Sequence, residues 1–292
     1  MKRVTVVTVH YGDASWIDPQ RMYLDRFMGI DYCLYASLQG IPDEYRQNFD
    51  GVVESPTHYH ADKLDLLFAR AINDGNKDED IIVALDGDAF PIERLFPKLE
   101  NLLEIHPLVA VQRLENHGDL QPHPCFAATT AGFWKKVQGT WQRGYRWPNA
   151  EGEWITDVGG NLLGKLEEGS IDWLPLHRTN TFNLHPVMFG IYGGLVYHHG
   201  AGFRNAALLR SDRALLPAGR IARWSHRSLG QLPHSRGWGR IRWLLDPVSR
   251  AERRLQERNR AWSREVYEQL CADLQFHNRF RQVESIGSGG HP

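Results

Sequence analysis

At 292 residues, with 42% hydrophobic and 24% charged positions, the chain can bury a sizeable core and holds one or two domains. A net charge of −1 argues against a general nucleic-acid binder, and three scattered cysteines, Cys33, Cys125 and Cys271, suggest neither a disulfide framework nor a thiolate zinc site. The opening MKRVTVVTVHYGD turns polar too early for a signal peptide or a spanning helix, so the expectation is a soluble cytoplasmic protein, with peripheral contact to the inner membrane face left open.

Taken in chain order, the β-branched run RVTVVTVHY (3–11) reads as a first strand buried on both faces, stopping at Gly12-Asp13. A second short strand is expected within Asp31–Ala36. From Asp62 the spacing changes: Leu64, Leu67, Phe68, Ala71 and Ile72 recur at three and four, the stripe of an amphipathic helix ending near Asp74-Gly75. Ile81–Leu85 then reads as a third strand. Strand, helix, strand with short connections predicts an α/β fold whose mostly parallel sheet is flanked by helices.

That order puts Asp86-Gly87-Asp88 at the C-terminal end of a strand, where open α/β sheets hold their ligands. Two neighbouring carboxylates repel and resist desolvation, so the partner that suits them is a divalent cation, Mn²⁺ or Mg²⁺, shared with phosphate oxygens. Gly87 lets a bulky ligand approach the backbone. An ordinary surface turn is the bland alternative, and the apolar run before the pair speaks against it.

The strand VTVVTVHYG, the helix HADKLDLLFARAI and the strand closing on ALDGDAF together resemble the nucleotide-binding half of the GT-A glycosyltransferases, whose DxD motif holds a divalent metal on a nucleotide-sugar diphosphate. The resemblance covers about the first hundred residues. It implies a GT-A (Rossmann-like) catalytic domain over 1–205, with 1–100 binding the nucleotide sugar and 101–205 forming the acceptor side. It also implies that Thr8, His10 and Tyr11 line the nucleotide pocket, that Lys63 approaches the ribose or diphosphate, and that Asp88 ligates the metal while Asp86 contacts the ribose or the metal.

Further along, PHPCFAATTAGFW (122–134) combines proline-bounded turn chemistry with small residues and aromatics, and ITDVGGNLLGKL again follows an acid with glycines. The resemblance implies an acceptor-side acid there, and Asp157, just before a helix suggested by NLLGKLEEG, is the candidate base; a helix-cap role is its structural alternative. A carboxylate base would take the proton of an acceptor hydroxyl in an inverting displacement. In GIYGGLVYHHGAGFR (190–204) the resemblance implies a metal-ligating histidine, His198 or His199; neighbours on a strand face opposite ways, so only one can reach the ion. Imidazole favours Mn²⁺ over Mg²⁺.

Beyond Phe203 the chain becomes arginine-rich, and Lys165 is its last lysine. Arg204, Arg210 or Arg213 suits a loop over the diphosphate. A largely helical C-terminal extension is expected over 206–283, with a long amphipathic helix within 250–276, tryptophans between Arg223 and Trp243 that suit sugar stacking or a membrane interface, and a disordered tail over 284–292.

The function these features predict is a metal-dependent glycosyltransferase, of hexosyltransferase type, acting on a nucleotide-diphosphate sugar donor and a hydroxyl acceptor that is a saccharide, a lipid-linked group or a small molecule. Two alternatives compete: a non-catalytic nucleotide- or carbohydrate-binding protein, and a phosphatase with a D-x-D nucleophile pair, which would need its acids near the first strand. A nucleotidyltransferase would need a glycine-rich basic loop after the first strand, which VTVVTVHYGD lacks.

Overall fold

The structure is a computed structural model that describes residues 2–200, 210–217 and 246–281. In chain order its elements begin with β1 (Val4–Tyr11), α1 (Ile17–Phe27), β2 (Cys33–Gln39), β3 (Gly51–Val52), α2 (His60–Asn73), β4 (Ile81–Asp86), β5 (Ala89–Pro91) and α3 (Leu95–Ile105). They continue with β6 (Leu108–Val111), β7 (His123–Thr130), α4 (Ala131–Lys136), β8 (Trp147–Pro148), β9 (Trp154–Ile155), α5 (Gly160–Glu168), β10 (Leu174–Leu176), β11 (Gly190–Tyr192) and β12 (Val196–His198). The helices α6 (Arg210–Arg213) and α7 (Pro247–Ala272) follow. The fold is α/β, as the spacing predicts.

The central sheet has seven strands in the order β10-β6-β7-β4-β1-β2-β3. All its pairings are parallel except those of β7, which runs against both β4 and β6. Alternation explains why β1 reads as one continuous apolar run. Val4 and Val6 pack with Leu24 and Met28 of the α1 segment and Leu95 and Leu99 of α3, whereas Val7 and Val9 pack with Leu64, Leu67 and Phe68 of α2 and Leu162 and Leu166 of α5. Both faces are therefore covered, and every side chain along the strand up to His10 is buried.

Several boundaries differ from the sequence reading for physical reasons. The segment 122–134 is not a run of turns: its residues form β7, a central strand, followed by α4. Pro124 is tolerated because it stands at the strand's start, beside a register break between Ala110 and Val111. The Asp86-Gly87-Asp88 strand is the fourth in chain order, since the two-residue β3 precedes it. Helix α1 carries no strong apolar stripe in the sequence because a buried Gln20 interrupts it.

A second, three-stranded sheet in the order β11-β12-β5 lies beyond the DGD turn. Its hairpin turns through Gly193 and Gly194, with φ of +56° and +66°, the left-handed pair that matches strand twist and that side-chain-bearing residues resist. β12 pairs with β5 so that His198 lies opposite Ala89. This pairing sets a histidine beside the second aspartate of the turn.

The described residues divide into two compact units: one runs up to residue 200 and resumes at Asp273, and the other lies between Arg204 and Ala272. In the second, Asp246 accepts hydrogen bonds from the backbone N–H groups of Val248 and Ser249 at the start of α7, and buried Asp212 accepts from Arg258 Nη2 (3.0 Å) and Asn259 Nδ2 (2.9 Å). The tryptophan-containing stretch from Arg223 to Trp243 and the tail 284–292 lie outside the described residues. Among those described, no helix is long and apolar enough to cross a membrane.

Candidate functional site

Because β1, β2 and β4 are parallel, their C-terminal ends share one edge of the sheet, and β7 begins at that same edge. The DGD turn leaves β4 there. Gln20, fully buried on α1, fixes the turn: its Nε2 donates to the carbonyls of Asp86 and Ala89, both at 2.8 Å, and its Oε1 accepts from Thr8 Oγ1 at 3.1 Å and lies 3.2 Å from His10 Nε2. One side chain thus ties the end of β1 to both ends of the turn.

Asp86, Asp88 and His198 each offer one ligand atom, and these atoms lie within 4.8 Å of one another. His198 Nε2 stands 3.4 Å from Asp88 Oδ1 and 3.6 Å from Asp86 Oδ2. Asp88 Oδ2 accepts from the Gly200 N–H at 3.0 Å, and Asp86 Oδ1 lies 3.0 Å from His60 Nε2. Ligands held about 2.1–2.3 Å from an ion stand roughly 3.0–3.3 Å apart at right angles. The two distances from His198 Nε2 lie close to that spacing, and two carboxylate oxygens with one imidazole form a donor set suited to Mn²⁺ or another divalent ion of that kind.

Burial opposes the charge on both acids, yet both carboxylates are held below their usual range. The close imidazole of His60, 3.0 Å away, and those of His198 and His123 do this for Asp86, and His198 does it for Asp88 against the repulsion of Asp86. These neighbours favour the ionised form of both acids, the form that can meet a cation.

Of the histidine pair, only His198 joins the acids. His199 is fully buried with its ring 4.6 Å from that of Trp16 and its Nδ1 3.1 Å from Tyr197 Oη, and burial lowers its pKa to about 3. Its backbone N–H donates to the Asp88 carbonyl at 3.0 Å, so it supports the turn through the main chain. Alternation along the strand separates the two rings.

Thr8 and His10 are buried and held by Gln20, so both side chains contribute to the frame of the site rather than to an open pocket wall; burial drops the His10 pKa to about 4. Tyr11 is half exposed at the rim. The Lys63 ammonium lies 4.9 Å from the centre of its ring, and burial lowers the lysine's pKa. Among the described residues Lys63 has no acidic partner within ion-pair distance. Gly87 is buried within the turn. Arg204 lies outside the described residues.

Asp157 precedes α5 by three residues, is half exposed, and has Oδ1 2.8 Å from Arg143 Nη2. The β6–β7 loop brings in groups that the sequence reading passed over. Arg113 is largely buried, its Nε has no hydrogen-bond partner, and the nearest carboxylate oxygen, of Glu115, is 3.9 Å away and already accepts from Tyr192 Oη. Asp119, buried, takes one hydrogen bond from Asn116 Nδ2 at 2.7 Å. Burial, aided by the negative charges of Asp157 and Glu115, pushes its pKa up to about 6. His123, at the start of β7, has its ring 6.1 Å from that of His198, and burial and the charge of Arg113 lower its pKa.

Asp119 makes a pH prediction. Between the unfolded aspartate value of about 3.9 and about 6 the native protein keeps a proton that the unfolded chain has released, so this group's contribution to stability falls as pH rises through that window. Asp119→Asn removes the penalty: its Tm advantage over the parent protein should be absent below about pH 4 and fully developed by about pH 7. Parallel melting profiles across that range would disprove the assignment.

No protein-family model matches the chain, and no curated protein matches it. Solved structures similar to it include nucleotide-diphospho-sugar transferases and glycosyltransferases, and also a 4-diphosphocytidyl-2C-methyl-D-erythritol synthase. One, described as a nucleotide-diphospho-sugar transferase of Desulfovibrio desulfuricans G20, is 12% identical, with 61% of this chain and 80% of that one covered and a TM-score of 0.42. The mannosyltransferase of Pyrobaculum calidifontis, solved with GDP-Man and Mn²⁺, is 13% identical over 92% of this chain and 74% of its own, with a TM-score of 0.43. TarS of S. aureus is 8% identical over 48% of this chain, which spans only 30% of TarS, with a TM-score of 0.36. Likenesses this distant carry no chemistry across; the donor set of the site has to do so.

The sequence did hold a trace of the missed residues. Gln20 falls in register with Ile17, Leu24 and Phe27 on the buried side of α1, and His60 with Leu64, Leu67 and Ala71 on that of α2. A polar residue in phase with an apolar stripe is the signal.

Proposed function

We propose that the chain is a metal-dependent glycosyltransferase that moves a sugar from a nucleotide-diphosphate donor to an acceptor hydroxyl. The observation that carries the reading is the convergence of Asp86 Oδ2, Asp88 Oδ1 and His198 Nε2 at the C-terminal edge of a mostly parallel sheet. These three residues would hold Mn²⁺ or Mg²⁺. Bound there, the ion supplies charge neutralisation on the diphosphate.

The chain's own residues divide the remaining work. Lys63, a buried ammonium without an acidic partner among the described residues, suits a phosphate oxygen, and the half-exposed Tyr11 ring at the rim suits the nucleoside. Arg204 remains a candidate for the same diphosphate. Across the turn, a carboxylate must accept the proton of the acceptor hydroxyl if the displacement inverts. Asp157 is the candidate from the sequence, and its carboxylate is engaged by Arg143. Asp119 is the competitor, because a pKa near 6 makes a carboxylate a stronger base at neutral pH. The acceptor is left as a hydroxyl-bearing saccharide, lipid-linked group or small molecule, and the compartment as the cytoplasm.

A thermal-shift panel of UDP-, GDP-, CMP- and dTDP-sugars, with and without Mn²⁺, tests the reading, since a ligand of the native state raises its Tm by mass action. The expected result is a rise for one nucleotide class that requires the ion. A panel with no metal-dependent rise would refute the proposal, and a rise without any transfer or hydrolysis of the donor would favour a binding protein.

A further inference from the structure

The hairpin between β6 and β7 holds an arginine whose donors the fold leaves unused. Both β6 and β4 run antiparallel to β7, so they end at the same edge of the sheet, and Arg113 stands two residues beyond the end of β6. Its side chain is only 12% exposed. A guanidinium has five N–H donors and keeps its charge. None of the five makes a hydrogen bond among the described residues: Nε is buried without a partner, and the nearest carboxylate, that of Glu115, is 3.9 Å away, too far for one. Glu115 already accepts from Tyr192 Oη at 2.6 Å, and Asp119, the other acid whose charge reaches Arg113, accepts from Asn116 Nδ2 at 2.7 Å.

Arg178 shows the contrast within the same protein. Its three nitrogens donate to Asn183 Oδ1 and to the carbonyls of His185, Pro186 and Met188, all at 2.9–3.0 Å. The β6–β7 hairpin, whose arms are joined by Gln112 Nε2 donating to the Leu120 carbonyl at 2.8 Å, holds a second unmet group: Gln121 is fully buried, and neither end of its amide has a hydrogen-bond partner. Polar groups withdrawn from water without partners are costly, so a ligand that brings acceptor oxygens is their natural complement.

We propose that Arg113 receives an oxyanion carried by the saccharide itself, the carboxylate or phosphate group of an acidic sugar, on its planar fork. The inference rests on the reading of the chain as a glycosyltransferase and names the class of its substrate. Position separates this oxyanion from the donor diphosphate. The strands lie in the order β6-β7-β4-β1, so β6 and β1 stand about 14 Å apart at about 4.8 Å per neighbour, with the DGD turn leaving β4 between them. Lys63, with its ammonium 4.9 Å from the Tyr11 ring, serves the β1 side, where the nucleoside and diphosphate are placed. Arg113 stands on the opposite flank. His123 feels the charge of both Arg113 and Asp86, and its ring is 6.1 Å from that of His198, so the guanidinium and the proposed cation site share one neighbour. Beyond the ion from the nucleoside lies the sugar or its acceptor, and arginine grips a carboxylate or phosphate there with two parallel hydrogen bonds.

The test melts the full chain, without metal, in glucuronate, galacturonate, glucose-6-phosphate or neutral glucose, since a ligand of the native state raises its Tm by mass action. At least one acid should raise the Tm and glucose should not, and the more effective kind of acid distinguishes carboxylate from phosphate. Arg113→Met should lose the rise. Arg113→Lys keeps a charge beside Glu115 without the fork, so it should match the parent's ligand-free Tm yet lose most of the rise. The proposal is overturned if no acid raises the Tm, if glucose raises it equally, or if either variant keeps the full rise. It is also overturned if Arg113→Lys melts well below the parent without ligand, the mark of a structural arginine. Failure of the transferase reading looks different: the nucleotide-sugar panel shows no Mn²⁺-dependent rise while an acid still raises the Tm through Arg113.

Discussion

Asp88→Asn should eliminate metal-dependent donor binding and lower transfer by about a thousandfold or more, the several kcal/mol that a metal supplies to a phosphoryl leaving group. The substitution is chosen to spare the fold. Asparagine keeps an oxygen for the Gly200 N–H, and the backbone bond from His199 to the residue's carbonyl is untouched. What disappears is one anionic ligand out of three. The metal-free Tm should hardly move, while the Mn²⁺-induced rise vanishes. Full Mn²⁺-stimulated transfer by this variant would be fatal to the proposed chemistry.

The second large effect is on stability. Gln20→Leu keeps the volume of a fully buried side chain but leaves the Asp86 and Ala89 carbonyls and the Thr8 hydroxyl without the partner they have now. Each stranded buried group costs about 1–3 kcal/mol, so a loss of about 3 kcal/mol is expected after partial relaxation. Chemical denaturation should report it as a lower midpoint with an unchanged slope. Mn²⁺ affinity should fall as well, because the turn that carries both acids is no longer held at its two ends. A variant as stable as the parent would mean that the clamp contributes nothing.

The parts of this fold that could be read in the sequence are those where one pattern decides the outcome. β1 and β4 are covered on both faces, so they spell continuous β-branched and aliphatic runs, and α2 has its apolar residues at three and four. The DGD turn was legible for the same reason: its acids follow a run that has no business meeting water. β7 was not, because Pro122, Pro124 and a string of alanines and threonines look like turn material until strands on both sides supply the ladder. His198 could be narrowed to a pair by alternation, but only the pairing of β12 with β5 decides which ring faces the acids. Gln20 shows in the sequence only as a polar residue in phase with an apolar stripe; what it holds, the ends of a turn 66 and 69 residues away, no local period encodes.

The pairing of Ala89 with His198 has one more consequence, for the order of folding. The aspartates are in place once β1 and β4 associate, an early and comparatively local event, whereas the histidine arrives only when a distant hairpin returns to dock on β5. Long-range closures of this kind come late. During biosynthesis the nascent chain would thus carry the acidic turn well before the histidine that the proposed cation site draws from β12, and a chain ending upstream of Gly190 would lack that histidine altogether.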